Sequence, residues 1–173
     1  MPATYEPIAT TTLGSDAANI SFNSITSSYT DLRIVLVSRT NRANQVDIVK
    51  LQFNSDTGTN YSNTYLRGDG TTASSGRDTS DTLINIYYTV GNNATASVFQ
   101  LSEIDIFSYA GSTNKTVLAT GASEDNQAGD DYVVRQVGLW RNTAAITSIQ
   151  LAPKLGTNWK SGTTATLYGI LKA

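Results

Sequence analysis

Strand-length runs rich in Val, Ile, Thr and Tyr recur along the whole chain, separated by clusters of Gly, Asn, Asp and Ser, and helical periodicity is almost nowhere found. No other feature constrains the fold as much. Parallel strands need long crossover connections, usually helices, so a chain of about ten strands without them pairs antiparallel. The expected class is all-β, a single-domain antiparallel β-sandwich. Sandwich, jelly roll and barrel all accommodate such strands, and strands with apolar residues on both faces favour a jelly-roll type. The domain is expected to span residues 1–173, with a short N-terminal arm over residues 1–7.

The stretch Asp131 to Leu151 is the expected centre. Val133, Val137 and Leu139 fall on one face of an extended chain, and Tyr132, Val134 and Trp140 on the other. Apolar residues on both faces predict burial on both sides. The quartet Asn142 to Ala145 then predicts a turn, and Ile146, Ile149 and Leu151 a second strand, giving a long hairpin that Pro153 ends. Asp31 to Ser38 is nearly continuously apolar and is expected to be another central strand. Pro7 places the first strand, Tyr5 to Leu13, at a sheet edge. From Val46 to Phe53 the apolar residues change phase, which predicts a β-bulge near Ile48 or Val49. Asn54 to Thr82 shows one short strand, Tyr61 to Leu66, in an otherwise polar stretch that reads as mobile or functional. Ala122 to Asp131 reads as an acidic loop.

Composition excludes more than it assigns. Histidine and cysteine are both absent, which removes Ser-His-Asp chemistry, thiol nucleophiles, disulfides and histidine-bearing zinc sites. Charged residues make up only 15%, net charge is −2, and Ser, Thr and Asn together supply 57 of the 173 residues. Nothing in that balance favours nucleic acid or an anionic membrane. The N-terminus has neither the basic start nor the apolar core of a secretory signal, and no run approaches a membrane span, so a soluble chain without membrane insertion is expected.

Several short patterns invite chemistry. Glu103 and Asp105 project from one strand face, roughly 6–7 Å apart. They resemble part of the Glu-x-Asp-x-Glu strand of laminarinase-type retaining glycoside hydrolases, but Phe107 stands where the acid/base would be, and retaining hydrolysis needs both carboxyls. A solvated charged face is the plainer reading, so no catalytic residue is assigned. Arg67-Gly68-Asp69 spells an integrin-type tripeptide on an expected loop, more simply a tight turn. Asn54, Asp56, Gly58 and Asn60 alternate oxygen donors as a calcium loop does, yet lack its Glu at the twelfth position. An Asx-turn loop is expected, with no metal or other cofactor. Trp159, in the loop Gly156 to Gly162 beside Lys160, is the tryptophan expected to be exposed, and the two residues form a possible glycan contact.

Four stretches taken together carry a resemblance: Thr4 to Ser15 (TYEPIATTTLGS), Phe53 to Arg77 with its D-T-G-x-N-Y loop, Gly138 to Pro153 (GLWRNTAAITSIQLAP), and the closing GTTATLYGILKA. In order and over essentially the whole chain, they resemble a family of tailed-phage structural proteins, aquatic and cyanophage members among them. The resemblance implies a non-enzymatic virion surface component with a jelly-roll module, assembled in the host cytoplasm. Because the module starts almost at Met1, a capsid decoration (cement) protein is expected before a tail-fibre module that recognises host surface glycans. The implied partners are copies of the chain itself, as a trimer covering open sheet edges, and the major capsid protein or other virion proteins. Candidate docking residues are Tyr5, Glu6 and Pro7 in the arm, Asp56 and Asn60 in the first loop, and Asp130 and Asp131 in the acidic loop.

Overall fold

The computed structural model describes residues 4–125, 127 and 131–171. Among these it contains twelve strands: β1 (Tyr5–Thr12), β2 (Ile20–Phe22), β3 (Asp31–Ser38), β4 (Val46–Phe53), β5 (Tyr61–Gly68), β6 (Ala73–Asp81), β7 (Ile84–Val90), β8 (Gln100–Phe107), β9 (Lys115–Ser123), β10 (Tyr132–Trp140), β11 (Ile149–Pro153) and β12 (Thr164–Ile170). They form an eight-stranded sheet in the order β1-β12-β3-β8-β9-β10-β5-β6 and a four-stranded sheet in the order β2-β11-β4-β7. Every strand pair within the sheets is antiparallel, and the two sheets close an antiparallel β-sandwich. No helix among the described residues is long and apolar enough to cross a membrane.

The core follows from alternation along the strands. Leu32, Ile34 and Leu36 of β3, Ile104 and Ile106 of β8 and Leu167 of β12 face Leu51, Phe53, Ile84, Ile86 and Leu151 of the smaller sheet, all without solvent contact. At one end Phe53, Tyr61 and Trp140 pack as an aromatic group, with Trp140 5.5 Å from Phe53 and 6.2 Å from Tyr61 between ring centroids. Such pairs add roughly 0.5–1.5 kcal/mol each beyond the area they bury.

The chain passes from sheet to sheet at eight of its eleven connections, all but β5–β6, β8–β9 and β9–β10, and buried polar groups fix several crossings. Arg39 donates its guanidinium protons to the carbonyls of Asn92, Ala94, Thr95 and Val98, which holds the β7–β8 connection. The Lys115 ammonium, fully buried, donates to the carbonyls of Gly111, Thr113 and Thr143, and burial pushes its pKa down. Asp47 accepts from the backbone N–H groups of Ile48, Leu155 and Gly156, tying β4 to the segment after β11. Arg39, Lys115 and Asp47 thus each have the partners their burial demands, whereas the Gln100 side-chain amide and the Ser102 hydroxyl are buried without a hydrogen-bond partner among the described residues.

Two local expectations hold. Pro7 lies in β1, which is an edge strand, and the β4–β7 ladder shifts register between Asp47 and Ile48. Four others need correction. The Asp131–Leu151 hairpin does not form: β10 lies between β9 and β5, whereas β11 lies in the other sheet between β2 and β4. The connection is carried across instead, because Asn54 Oδ1 accepts from the N–H groups of Thr147 and Ser148. Nor is β10 buried on both sides, since Val133 and Val137 stand exposed. The polar stretch after Leu66 is a strand, β6, which pairs with β5 as the outermost strand of the larger sheet. Finally, Tyr5, Glu6 and Pro7 are not a free arm, because all three pair with β12 opposite Ile170, Gly169 and Tyr168.

Candidate interaction surface

The smaller sheet covers the inner face of the larger one and leaves its outer face open. Strand registers define what that face carries. One row across it reads Leu66, Arg135, Thr120, Glu103, Val35, Thr166 and Thr10 from β5 to β1. The neighbouring row reads Thr64, Val137, Leu118, Asp105, Arg33, Tyr168 and Pro7. Eight large hydrophobic side chains stand exposed among the described residues, and seven of them project from this face: Tyr5, Val37, Leu66, Leu101, Phe107, Val133 and Val137. Val133 is 61% exposed, Leu66 59% and Leu101 50%. Scattered exposed apolar residues mean little, but a contiguous set on one face marks an interaction site. Two shallow depressions with almost wholly apolar walls flank Arg135, one among Leu66, Leu118 and Val137, the other among Leu66, Ala73 and Val133.

The charges on the face are few and arranged. Arg33 Nε donates to Asp105 Oδ1 at 2.6 Å and its Nη2 to Oδ2 at 2.9 Å, a bidentate pair. That hydrogen bond raises the Arg33 pKa, and its guanidinium also lies 5.6 Å from the Tyr5 ring centroid. Arg135 Nη1 donates to Thr120 Oγ1 at 2.6 Å, and Glu103 stands on the far side of Thr120 in the same row. Glu103 and Asp105 do share a face, as alternation requires, but Asp105 is held by Arg33 and Phe107 is their next same-face neighbour.

The candidate docking residues fall in three places. Tyr5 and Pro7 belong to the outer face, at its β1 margin, while Glu6 Oε2 accepts from the Tyr29 hydroxyl at 3.1 Å. Asp56 and Asn60 are committed to each other: the Asp56 carboxylate accepts from Asn60 Nδ2, the Gly58 N–H and Trp140 Nε1. That is an Asx-type loop whose carboxylate is filled by donors, and no group of three or more acidic, His or Cys side chains among the described residues could hold a metal. Asp130 lies outside the described residues. Asp131 accepts from the Asp125 N–H through Oδ1.

Trp159 is not exposed. It is fully buried, its Nε1 donates to the Leu151 carbonyl, and its backbone bridges both Ala17 and Thr40. Lys160 forms an ion pair with Asp16 at 2.7 Å. The possible glycan contact is therefore a core plug beside a surface ion pair, because two passing segments, at Ala17 and Thr40, cover a loop that the sequence presents as open. In Arg67-Gly68-Asp69, the first two residues end β5 and Asp69 opens the β5–β6 turn. Arg67 lies 5.7 Å and 5.2 Å from the ring centroids of Tyr88 and Tyr132, and Asp69 accepts from Thr71 and Thr72 within the turn. Arg67 is thus held over two aromatic rings, while Asp69 is an exposed turn residue whose Oδ1 is engaged within the turn.

Leu66, Leu101, Phe107, Val133 and Val137 are absent from the sequence-derived candidates. Their signal was present, as apolar residues on both faces of one strand, but it predicts a covered face equally well.

Neither a protein-family model nor a curated protein sequence matches the chain.

Proposed function

We propose that this protein is a non-enzymatic structural component of a tailed-phage virion, a capsid decoration protein that binds and stabilises the shell as an oligomer. The observation that carries the docking role is the open, apolar outer face of the eight-stranded sheet. A face of this kind loses free energy to water until a partner covers it, at roughly 25 cal/mol per Å² of apolar surface. The resemblance to tailed-phage structural proteins supplies the class of partner.

Strand order supports the jelly-roll reading. The sets β1-β12-β3-β8 and β2-β11-β4-β7 are two four-stranded sets between which consecutive strands alternate except at β4 and β7, the order of an eight-stranded jelly roll. The hairpin β5–β6 and the pair β9–β10 are inserted and both extend one sheet, widening the open face. The receptor-binding alternative loses its residues with the burial of Trp159 and the pairing of Lys160.

The test is copy number, from quantitative peptide mass spectrometry of purified particles against the major capsid protein. A near-stoichiometric ratio is expected. A far smaller ratio would move the protein to the tail, and total absence from the particle would remove the virion reading.

A further inference from the structure

We infer that the occupant of the outer face is a second copy of this chain, packed sheet against sheet about a two-fold axis that runs along β9. The inference names the partner of the docking face proposed above and rests on that reading.

Two identical sheets facing each other are related by a two-fold axis lying in the plane between them, and such an interface must be complementary to itself. With the axis along β9, each residue on β10 meets the β8 residue of the same row in the other copy, and β5 likewise meets β3. The registers then decide what touches. Arg135 meets Glu103 of the second copy, since both flank Thr120 in one row. Leu139 meets Phe107, both flanking Thr116. Leu66 meets Val35, two strands out on either side of Thr120. Val133 meets Leu101 on the row of Ala122, where Leu101 lies one residue beyond the β8–β9 ladder. Val137 faces Asp105, whose charge is already held by Arg33.

A two-fold across the strands that passes through the row of Thr120 is disfavoured. It would set Arg135 on Arg135 and Glu103 on Glu103, like charges in a desolvated interface. The axis along β9 therefore pairs Arg135 with Glu103 and most of the exposed apolar side chains with one another, and the axis across the row of Thr120 opposes like charges. Opposed sheets about 10 Å apart, with strand directions within about 30° of each other, are the ordinary geometry of aligned sheet packing.

Size is adequate. Five strands spaced about 4.8 Å, with side-chain rows spaced about 6.7 Å, span a patch of order 600 Å² in projection. A standard interface buries about 800 Å² of accessible surface per partner, which a corrugated patch of that size approaches. A two-fold pair also differs from the trimer expected from edge cover, because the exposed apolar surface lies on a face and not along the edges β1 and β6.

The experiment is sedimentation equilibrium on the full chain at micromolar concentration, for wild type, Arg135→Glu, Glu103→Arg and the double exchange. Wild type is expected at twice the 18.5 kDa chain mass. Each single exchange should weaken dimerisation at least tenfold, and the double exchange should restore it, because the reversed charges again meet. Both side chains are exposed, so unchanged circular dichroism and melting would show that the fold is intact. A monomeric or trimeric wild type overturns the inference, as does a double exchange without recovery. The virion reading is judged separately by copy number: a dimer missing from particles sinks that reading alone, and a particle-bound monomer sinks the pairing alone.

Discussion

Trp140 donates its indole N–H to Asp56 Oδ2 across 2.8 Å, joining the end of β10 to the β4–β5 loop, 84 residues earlier in the chain. Trp140 is fully buried, so this carboxylate is what makes its burial affordable in a polar sense and what orients the loop. The Trp140 N–H, then Asn60, and more weakly the Gly58 N–H, hold the Asp56 carboxyl below its ordinary pKa. A carboxyl whose folded pKa is depressed contributes stability that is present above the unfolded value of about 3.9 and lost as pH falls through the folded value. Asp56→Asn should therefore show a smaller drop in melting temperature than wild type between about pH 6 and pH 3. Equal drops in the two proteins would contradict the assignment.

Burial of Trp159 predicts a stability effect in place of a binding effect. Trp159→Ala should cost about 3–5 kcal/mol in urea unfolding, the range for emptying a large core site. A change within about 0.5 kcal/mol, typical of a surface substitution, would show that the ring is not where the structure places it.

Alkaline pH should act through two tyrosines. Burial pushes both Tyr61 and Tyr87 up to about 12, with the charge of Asp78 adding to the effect at Tyr87. An acid whose folded pKa is raised is stabilised in its neutral form, so its contribution is intact below the unfolded value of about 10 and lost as pH climbs above it. Stability should fall between about pH 10 and pH 12, and ultraviolet titration of the folded chain should show these phenols ionising after the ordinary ones. Titration of all nine tyrosines together near their ordinary pKa, in a chain still folded, would contradict this.

At Gly138 the two sheets come close. A Cβ there would lie 2.8 Å from Ile84 Cγ2 and 2.9 Å from its Cδ1. Gly138→Ala should destabilise by about 1–3 kcal/mol through overpacking. Ile84→Val in the same chain should recover part of that loss, a coupling that a double-mutant cycle of unfolding free energies would register. Strict additivity of the two changes would place them out of contact.

Much of the fold was legible in the residues because alternation is a local property. The edge position of β1 follows from Pro7, the bulge from the phase change around Ile48, and the faces of β8 from its odd and even positions. The strand β6, with the sequence ASSGRDTSD, was not legible, because its largest apolar residue is alanine. It exists because β5 offers a ladder, and Tyr65 lies across Gly76, where a Cβ would sit 2.6 Å from the tyrosine hydroxyl. For the candidate site, Glu103, Asp105 and Tyr5 were visible as chemistry, but the surface they share with Val133 and Leu66 was not.

The residues by themselves determined the class of fold and its chemical limits: an antiparallel all-β chain with neither histidine nor cysteine. Their period of two states that each strand has two faces. Which face is covered depends on the sheet that packs across it, and that partner comes from distant parts of the chain. Only the tertiary structure could therefore send β10 and β11 to different sheets, bury Trp159 and leave Val133 and Val137 in solvent. Local alternation selects strands, and long-range packing decides which sides of them meet water.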